Sequence, residues 1–169
     1  MHYDFESIIR EYGTLLSRVA ATYEANRDLQ QELLQEICLA VWQGLQRFEA
    51  KSSVKTYILR IAHNRAVTHV SREAKEPHKE DWDEVSDLMS SAVHRVNRVD
   101  IEVEQQQAVR NLVKYVRQLP VSQRQVMTLS LEGLSYQEIA EICGLTVSNV
   151  GVLITRAKQQ LKSKMHAIG

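Results

Sequence analysis

An all-α fold made of two small helical domains is predicted by three features of this 169-residue sequence. Only two prolines and six glycines occur in it, and residues that favour helix are abundant. Apolar residues recur every three or four positions in both halves, which is the period of a helix with one buried face. Between residues 76 and 100 this period fades and acids gather, which favours a flexible acidic linker. We therefore expect domains at residues 1–75 and 101–169, the second containing a helix-turn-helix.

Three helices are expected in the first domain. Residues 4–24 carry apolar side chains at helical spacing, and a second helix starts near Asp28, which is a plausible N-cap. Ser52 or Ser53 can cap a third helix that runs to about Lys75. The outer face of that helix would carry Arg60, His63, Asn64, Thr68 and Ser71.

The second domain begins with a helix expected over residues 100–119, which Pro120 ends. Ser122 would cap the short helix that follows, and Gly133 would close it. The remaining sequence predicts two helices joined by a tight turn, within residues 135–162.

Local chemistry at that turn indicates a helix-turn-helix. Ser135 and Glu138 have the spacing of a capping box, and Gly144 can adopt the left-handed conformation that the turn needs. Ala140 is small where the two helices must cross closely. A plain helical hairpin shares some of these features, but their combination with a basic second helix favours a DNA-binding protein.

Charge is strongly segregated, although the net charge is zero. Residues 47–75 contain seven Lys and Arg against two acids, and residues 144–169 contain four against none. Residues 76–104 between them hold nine acids against three bases. Clustered cations on helices are what phosphate neutralisation requires, so both basic blocks are candidate nucleic-acid surfaces.

Several protein classes are disfavoured by the sequence. No apolar run approaches the length of a membrane span, and the N-terminus lacks the basic segment of a signal peptide, so a cytoplasmic protein without membrane insertion is expected. Cys38 and Cys143 fit buried thiols rather than a metal site or a disulfide. Clustered carboxylates, a glycine-rich phosphate loop and a Cys/His constellation are all missing, so we expect no enzyme, no cofactor and no metal.

The order of motifs resembles a known family. An acidic amphipathic helix ending in Val41-Trp42 is followed by a loop led by Phe48 and a helix containing Ile61-Ala62-His63-Asn64. This order resembles region two of the bacterial extracytoplasmic-function sigma factors. The part from Leu119-Pro120 to Leu161 is similar to region four of that family. The resemblance implies a subunit that directs core RNA polymerase to specific promoters.

The resemblance also implies a polymerase-docking face on the acidic second helix. An amphipathic helix with acids beside apolar residues suits a helix-on-helix interface with the clamp helices of the largest catalytic subunit. The apolar pair in this set can equally belong to the internal core. The implied contact residues are Asp28, Gln31, Gln35, Glu36, Leu39 and Trp42.

Promoter contacts are implied at two places. Capture of the minus-ten element as melted single strand needs pockets for bases and cations for the backbone. The implied residues are Lys51, Ser52, Ser53, Lys55, Tyr57, Arg60, His63 and Asn64, with Tyr57 standing where the family usually has Trp. The minus-thirty-five element would be contacted as duplex by Thr146, Ser148, Asn149, Val152, Thr155, Arg156 and Lys158.

One segment departs from the family pattern, and two further hypotheses remain. The family often has Lys-Ser-Arg where this chain has Gly151-Val152-Leu153. This departure is compatible with a different promoter sequence, with more reliance on backbone contacts and DNA shape, or with a C-terminal domain used mainly for polymerase binding. Such factors commonly have an anti-sigma partner, so one is expected here. The competing hypothesis is a two-domain regulator that never binds core polymerase, although it leaves the basic helix after Ser53 unexplained.

Overall fold

The structure is a computed structural model that describes residues 3–73 and 107–166. These residues form seven helices and no strand, which confirms the all-α prediction. The predicted linker at residues 76–100 and the predicted helical start at residues 100–106 lie outside them. The helices are α1 (Phe5–Tyr23), α2 (Arg27–Leu45), α3 (Val54–Glu73), α4 (Gln107–Arg117), α5 (Val121–Leu131), α6 (Tyr136–Cys143) and α7 (Val147–His166).

Two predicted helix caps are wrong. Asn26, not Asp28, caps α2, because its extended backbone lets Oδ1 accept from the amides of Asp28 and Leu29, at 3.0 and 3.2 Å. Pro120 precedes α5 in place of Ser122 and makes no side-chain cap hydrogen bond. A proline suits a helix start since its ring fixes φ near the helical value and its missing N–H would have no partner there.

The first three helices form a bundle around fully buried aliphatic side chains. Leu16 of α1, Leu33 of α2 and Ile58 of α3 are each 0% exposed. Burial of such a side chain contributes roughly 1.5–3 kcal/mol, so this layer is a main source of stability for the bundle. Ser53 starts α3 as predicted, with Oγ accepting from the Thr56 amide at 3.1 Å.

The C-terminal helices pack directly on this bundle. One buried apolar cluster continues from α1–α3 into α5–α7, where it includes Leu129, Ile139 and Ile154. A second cluster joins α4, α5 and α7. The two halves therefore share a hydrophobic core in this conformation.

Polar contacts also join the halves. The Arg18 guanidinium donates to both carboxylate oxygens of Glu132, at 2.5 and 2.8 Å. Arg117 Nε donates to the carbonyl of Ala21 at 2.6 Å, which ties α4 to α1. Such charged hydrogen bonds are about twice as strong as neutral ones, so they favour one orientation of the halves.

Neither cysteine forms a disulfide. Burial raises the pKa of the Cys38 thiol to about 12 and that of Cys143 to about 11, so both remain protonated near neutrality. Among the described helices no single one is long and apolar enough to cross a membrane. Only α6 and α7 taken as a pair pass that test, across a bend of 101°.

Candidate nucleic-acid interface

The six residues expected on the polymerase-docking face follow one stripe of α2. Asp28 and Gln31 are exposed near its N-terminus, and the other four are half-buried. Leu39 and Trp42 pack against the core while keeping part of their surface accessible. Glu36 lies 3.8 Å from the Arg72 guanidinium of α3. The stripe thus presents a graded surface, acidic at one end and apolar at the other.

A cleft of about 360 Å³ opens where the C-terminal end of α2 lies against α3. Its volume is at the lower end of the range for small-molecule pockets and is sufficient for a nucleobase. Polar groups and two guanidinium groups surround a small apolar floor. The lining residues are Ala40, Gln43, Gly44, Arg47, Tyr57, Ile61, Asn64, Arg65 and Thr68.

The two cations of the cleft, Arg47 and Arg65, make no ion pair with any carboxylate among the described residues. Asn64 is exposed beside them and offers an amide donor and acceptor. A site with uncompensated positive charge and an amide can bind a phosphate and hydrogen-bond a base edge.

Tyr57 is held in a fixed position at this cleft. Its hydroxyl donates to the Gly44 carbonyl at 2.8 Å, and its ring centroid is 4.8 Å from that of Phe48. A Cβ at Gly44 would lie 2.6 Å from Cδ1 of Ile61, so glycine allows α2 and α3 to approach closely here. The predicted aromatic face is therefore rigid and only half-buried.

The predicted loop residues lie near the cleft but do not line it. Lys51 is highly exposed and pairs with Glu49 at 2.8 Å. The Ser52 hydroxyl donates to the Ser53 carbonyl at 3.3 Å. The pKa of the Glu138 carboxyl is lowered mainly by the hydrogen bond that it accepts from the Ser135 backbone N–H. The positive charge of Lys55 lies close enough to lower it slightly further.

Two predicted minus-ten residues are engaged by other helices in this conformation. Arg60 donates to the Glu141 carbonyl of α6 at 3.1 Å. His63 is 0% exposed, so its prediction as a surface contact to DNA is wrong for this conformation. The reason is that α3 packs on α1 and α2 with one face and on α6 with another, so little of its circumference remains open.

The burial of His63 has a chemical consequence. Its Nδ1 is 3.0 Å from the Tyr23 hydroxyl, while Nε2 has no hydrogen-bond partner among the described residues. Burial lowers the pKa of His63 to about 4 from its usual 6.5, because the charged imidazolium would lose its hydration. Arg124 of the other half lies over the Tyr23 ring, at 5.6 Å from its centroid.

The helix-turn-helix is built as the sequence predicts. Ser135 Oγ accepts from the Glu138 amide at 3.2 Å, and the Glu138 carboxylate accepts from the Ser135 amide at 3.0 Å. Gly144 has φ +68°, the left-handed conformation that ends α6. Thr146 Oγ1 accepts from the Asn149 amide at 3.1 Å and caps α7.

The outer face of α7 carries the predicted minus-thirty-five residues. All seven are exposed, and Val152 is 46% exposed. The Thr155 hydroxyl, however, donates to the Gly151 carbonyl at 2.9 Å, and that of Thr146 is occupied by the cap. Ser148, Asn149, Arg156 and Lys158 remain the exposed polar groups of this face.

Sequence reasoning missed Arg47 and Arg65 as members of the cleft. Positions 57, 61, 64, 65 and 68 share one face of α3, and positions 40, 43, 44 and 47 share one face of the α2 end. That periodic match was visible in the sequence. Which two faces meet was not, because it depends on how the helices cross.

Comparison with known proteins agrees with this geometry. The sequence model of Sigma-70 region 2 matches residues 8–76, and that of Sigma-70, region 4 matches residues 110–161. Together the two matches span more than two thirds of the chain.

Similar curated proteins include the ECF RNA polymerase sigma-E factors of Haemophilus influenzae and Escherichia coli. Each is 24% identical over 168 residues, covering 97% of this chain and 88% and 87% of the two relatives.

Similar solved structures show the same fold. CnrH in complex with the cytosolic domain of CnrY has a TM-score of 0.67 at 19% identity, covering 98% of this chain and 89% of that one. The sigma factor RpoE in complex with the anti-sigma factor NepR, from Bartonella quintana, has 0.69 at 17% identity, covering 96% and 97%. With both sigma regions matched in order and the fold in agreement, the chain belongs to the sigma-70 family, in its extracytoplasmic-function group.

Proposed function

We propose that this chain joins core RNA polymerase as its promoter-specificity subunit and holds the minus-ten element as melted single strand at the α2–α3 cleft. The observation that carries the proposal is the position of two guanidinium groups, Arg47 and Arg65, that make no ion pair among the described residues and lie beside an exposed amide and an aromatic ring. The protein supplies binding energy and no chemistry of its own.

Strand separation without fuel requires that the open strand be bound better than the duplex. A base leaving the stack costs a few kcal/mol, which contacts made only by the extruded base must offset. The cleft would receive such a base, with Asn64 at its polar edge, while Arg47 and Arg65 hold the adjoining phosphates. Lys51 and Lys55 would track the backbone on either side.

The graded stripe of α2 is the proposed contact with the polymerase. Leu39 and Trp42 would become fully buried on binding, and Asp28 and Gln31 would remain at the polar rim, as at typical interfaces. Core polymerase is a cytosolic enzyme, so the proposed place of action is the cytosol. The outer face of α7 would contact the minus-thirty-five duplex.

An anti-sigma factor is a further proposed partner. The two solved relatives are bound to other proteins, CnrH to CnrY and RpoE to the anti-sigma factor NepR. The half-buried apolar pair on α2 offers a surface that such a protein could cover in competition with the polymerase.

A transcription assay with purified core polymerase tests the proposal. The chain should co-elute with core and support initiation on duplexes selected from a promoter library. Absence of both co-elution and initiation would favour the competing regulator that does not bind polymerase.

The cleft itself is tested with single substitutions in the holoenzyme. Asn64→Ala and Arg65→Ala should each weaken binding to a minus-ten probe with an unpaired strand. The loss should be about tenfold for the charged contact of Arg65 and about fivefold for the neutral amide of Asn64. Arg10→Ala on α1 is the matched control, since it removes an exposed cation that does not line the cleft. Equal losses for Arg10→Ala and Arg65→Ala would argue against a specific site.

The basic loop has its own test. Lys51→Ala combined with Lys55→Ala should impair open-complex formation more than binding to duplex promoter DNA. Equal impairment in both assays would mean that the loop contacts duplex phosphates only.

A further inference from the structure

An apolar patch is exposed on the helix-turn-helix, the motif that is proposed to contact duplex DNA. Five large apolar side chains are highly exposed among the described residues, and three of them lie here. They are Tyr136 at 42%, Val147 at 49% and Val152 at 46%. The concentration of exposed apolar surface on this motif requires an explanation, because solvent disfavours it.

Gly151 lets the Tyr136 ring lie against α7. A Cβ at Gly151 would lie 3.6 Å from Cε2 of Tyr136, so the ring rests against the α7 backbone where other residues would project a side chain. Val147 lies one turn before Gly151, on the same side of α7 as this ring. Val152 projects about 100° further round the helix than Gly151, beside Ser148 and Asn149 on the outer face.

Two exposed polar residues beside Val152, Ser148 and Asn149, could also contact base edges. The hydroxyls of Thr146 and Thr155 each already make one hydrogen bond to the α7 backbone. Cations follow along α7, namely Arg156, Lys158, Lys162 and Lys164, and no acid occurs in the sequence from residue 144 onwards. A polyanion that presents apolar groups is the occupant that matches both the patch and its surroundings.

Duplex DNA presents such a group in its major groove. Thymine alone among the four bases carries a C5-methyl group there, and valine or threonine methyls pack against it in protein–DNA complexes. The N-terminal part of the second helix of a helix-turn-helix is the part that enters the groove. The exposed valines occupy that part of α7.

We infer that Val152 distinguishes thymines in the minus-thirty-five element by contact with their C5-methyl groups. The inference rests on the proposed function and adds a chemical basis for its sequence preference. Each methyl buried against the patch should contribute about threefold to fourfold in affinity. Arg156 and Lys158 would hold the backbone phosphates on either side.

Deoxyuridine isolates the methyl group, since it pairs as thymine does and lacks only that group. Holoenzyme would first enrich duplexes from a library randomised across the minus-thirty-five region. Each thymine of the enriched sequence would then be replaced by deoxyuridine in turn. At least one replacement should lower affinity by about threefold to fourfold for the unmodified protein.

Val152→Ala completes the test, because the exposed position tolerates truncation without loss of the core. The variant should bind the thymine and deoxyuridine duplexes equally. Leu131→Ala is the matched control: Leu131 is 49% exposed, but lies on α5 outside the patch, so the difference between the two duplexes should persist.

Each other outcome decides against the inference in a recognisable way. Methyl recognition would be overturned, with promoter binding left intact, if sequences are enriched but no deoxyuridine replacement lowers the affinity. The same holds if deoxyuridine lowers the affinity of Val152→Ala as much as that of the unmodified protein. If holoenzyme initiates transcription but enriches no minus-thirty-five sequence, methyl recognition is overturned together with duplex readout by α7. Failure of the chain to bind core at all would overturn the proposed function itself.

Discussion

Acidification should destabilise this protein through His63. The imidazole is fully buried against Tyr23, and its pKa is lowered to about 4, whereas the unfolded chain should titrate near 6.5. Between these values the unfolded state binds the extra proton, so the free energy of unfolding falls as the pH drops below 6.5. From pH 7 to pH 5 the loss from this one group amounts to about 2 kcal/mol.

Urea unfolding at pH 7 and pH 5 measures this loss, and His63→Asn isolates it. The asparagine amide offers the Tyr23 hydroxyl either an acceptor oxygen or an N–H donor in place of Nδ1, but it cannot titrate. The variant should start less stable, since it leaves a cavity, and lose about 2 kcal/mol less than the natural chain over this interval. His166→Asn keeps His63 in place and should retain the natural pH dependence. Equal losses in the natural chain and His63→Asn would refute the reasoning.

Three further predictions concern stability. Ser135→Ala removes the cap of α6 and should cost about 0.5–2 kcal/mol, with faster amide hydrogen exchange in that helix; unchanged exchange would contradict it. Leu16→Ala creates a cavity at a fully buried position and should cost about 2–5 kcal/mol in urea unfolding; a loss below about 1 kcal/mol would contradict the core assignment. Arg18→Ala and Glu132→Ala should show a coupling of about 1 kcal/mol in a double-mutant cycle, whereas additive effects would mean that their contact contributes nothing.

Local features were predictable from the sequence because their partners lie within a few residues. The Ser135–Glu138 box, the left-handed Gly144 and the Thr146 cap each join atoms no more than three or four positions apart. The two predicted caps that were wrong each lie only two residues from the observed ones. Asp28 and Ser122 are suitable residue types for a cap, but the helices already begin after Asn26 and Pro120.

His63 shows what the pattern of one helix cannot predict. Judged on α3 alone, it lies opposite the apolar stripe and therefore belongs on the surface. Its burial depends on Tyr23 of α1, 40 residues earlier in the chain, and on how α3 packs against the other helices, which no short segment of sequence encodes. The same dependence on helix crossing explains why Arg47 and Arg65 were missed as members of the cleft.

Binding of both promoter elements requires the two halves to separate. Elements 25 base pairs apart lie roughly 85 Å apart along duplex DNA, at about 3.4 Å per base pair. A compact chain of this length has a radius of gyration of about 15 Å and so a diameter near 40 Å. The described conformation also covers Arg60 with α6.

The contacts that resist separation are of two kinds. The polar contacts of Arg18, Arg60 and Arg117 can be replaced by water, at a net cost of roughly 1–3 kcal/mol each. The contacts within the shared apolar cluster cannot be replaced by water, because separation of the halves exposes apolar surface. That surface must be covered by another molecule. Core polymerase, the proposed partner at α2, would have to cover that surface as well. Under the proposed function, the closed conformation should therefore bind promoter DNA poorly without core polymerase and well with it.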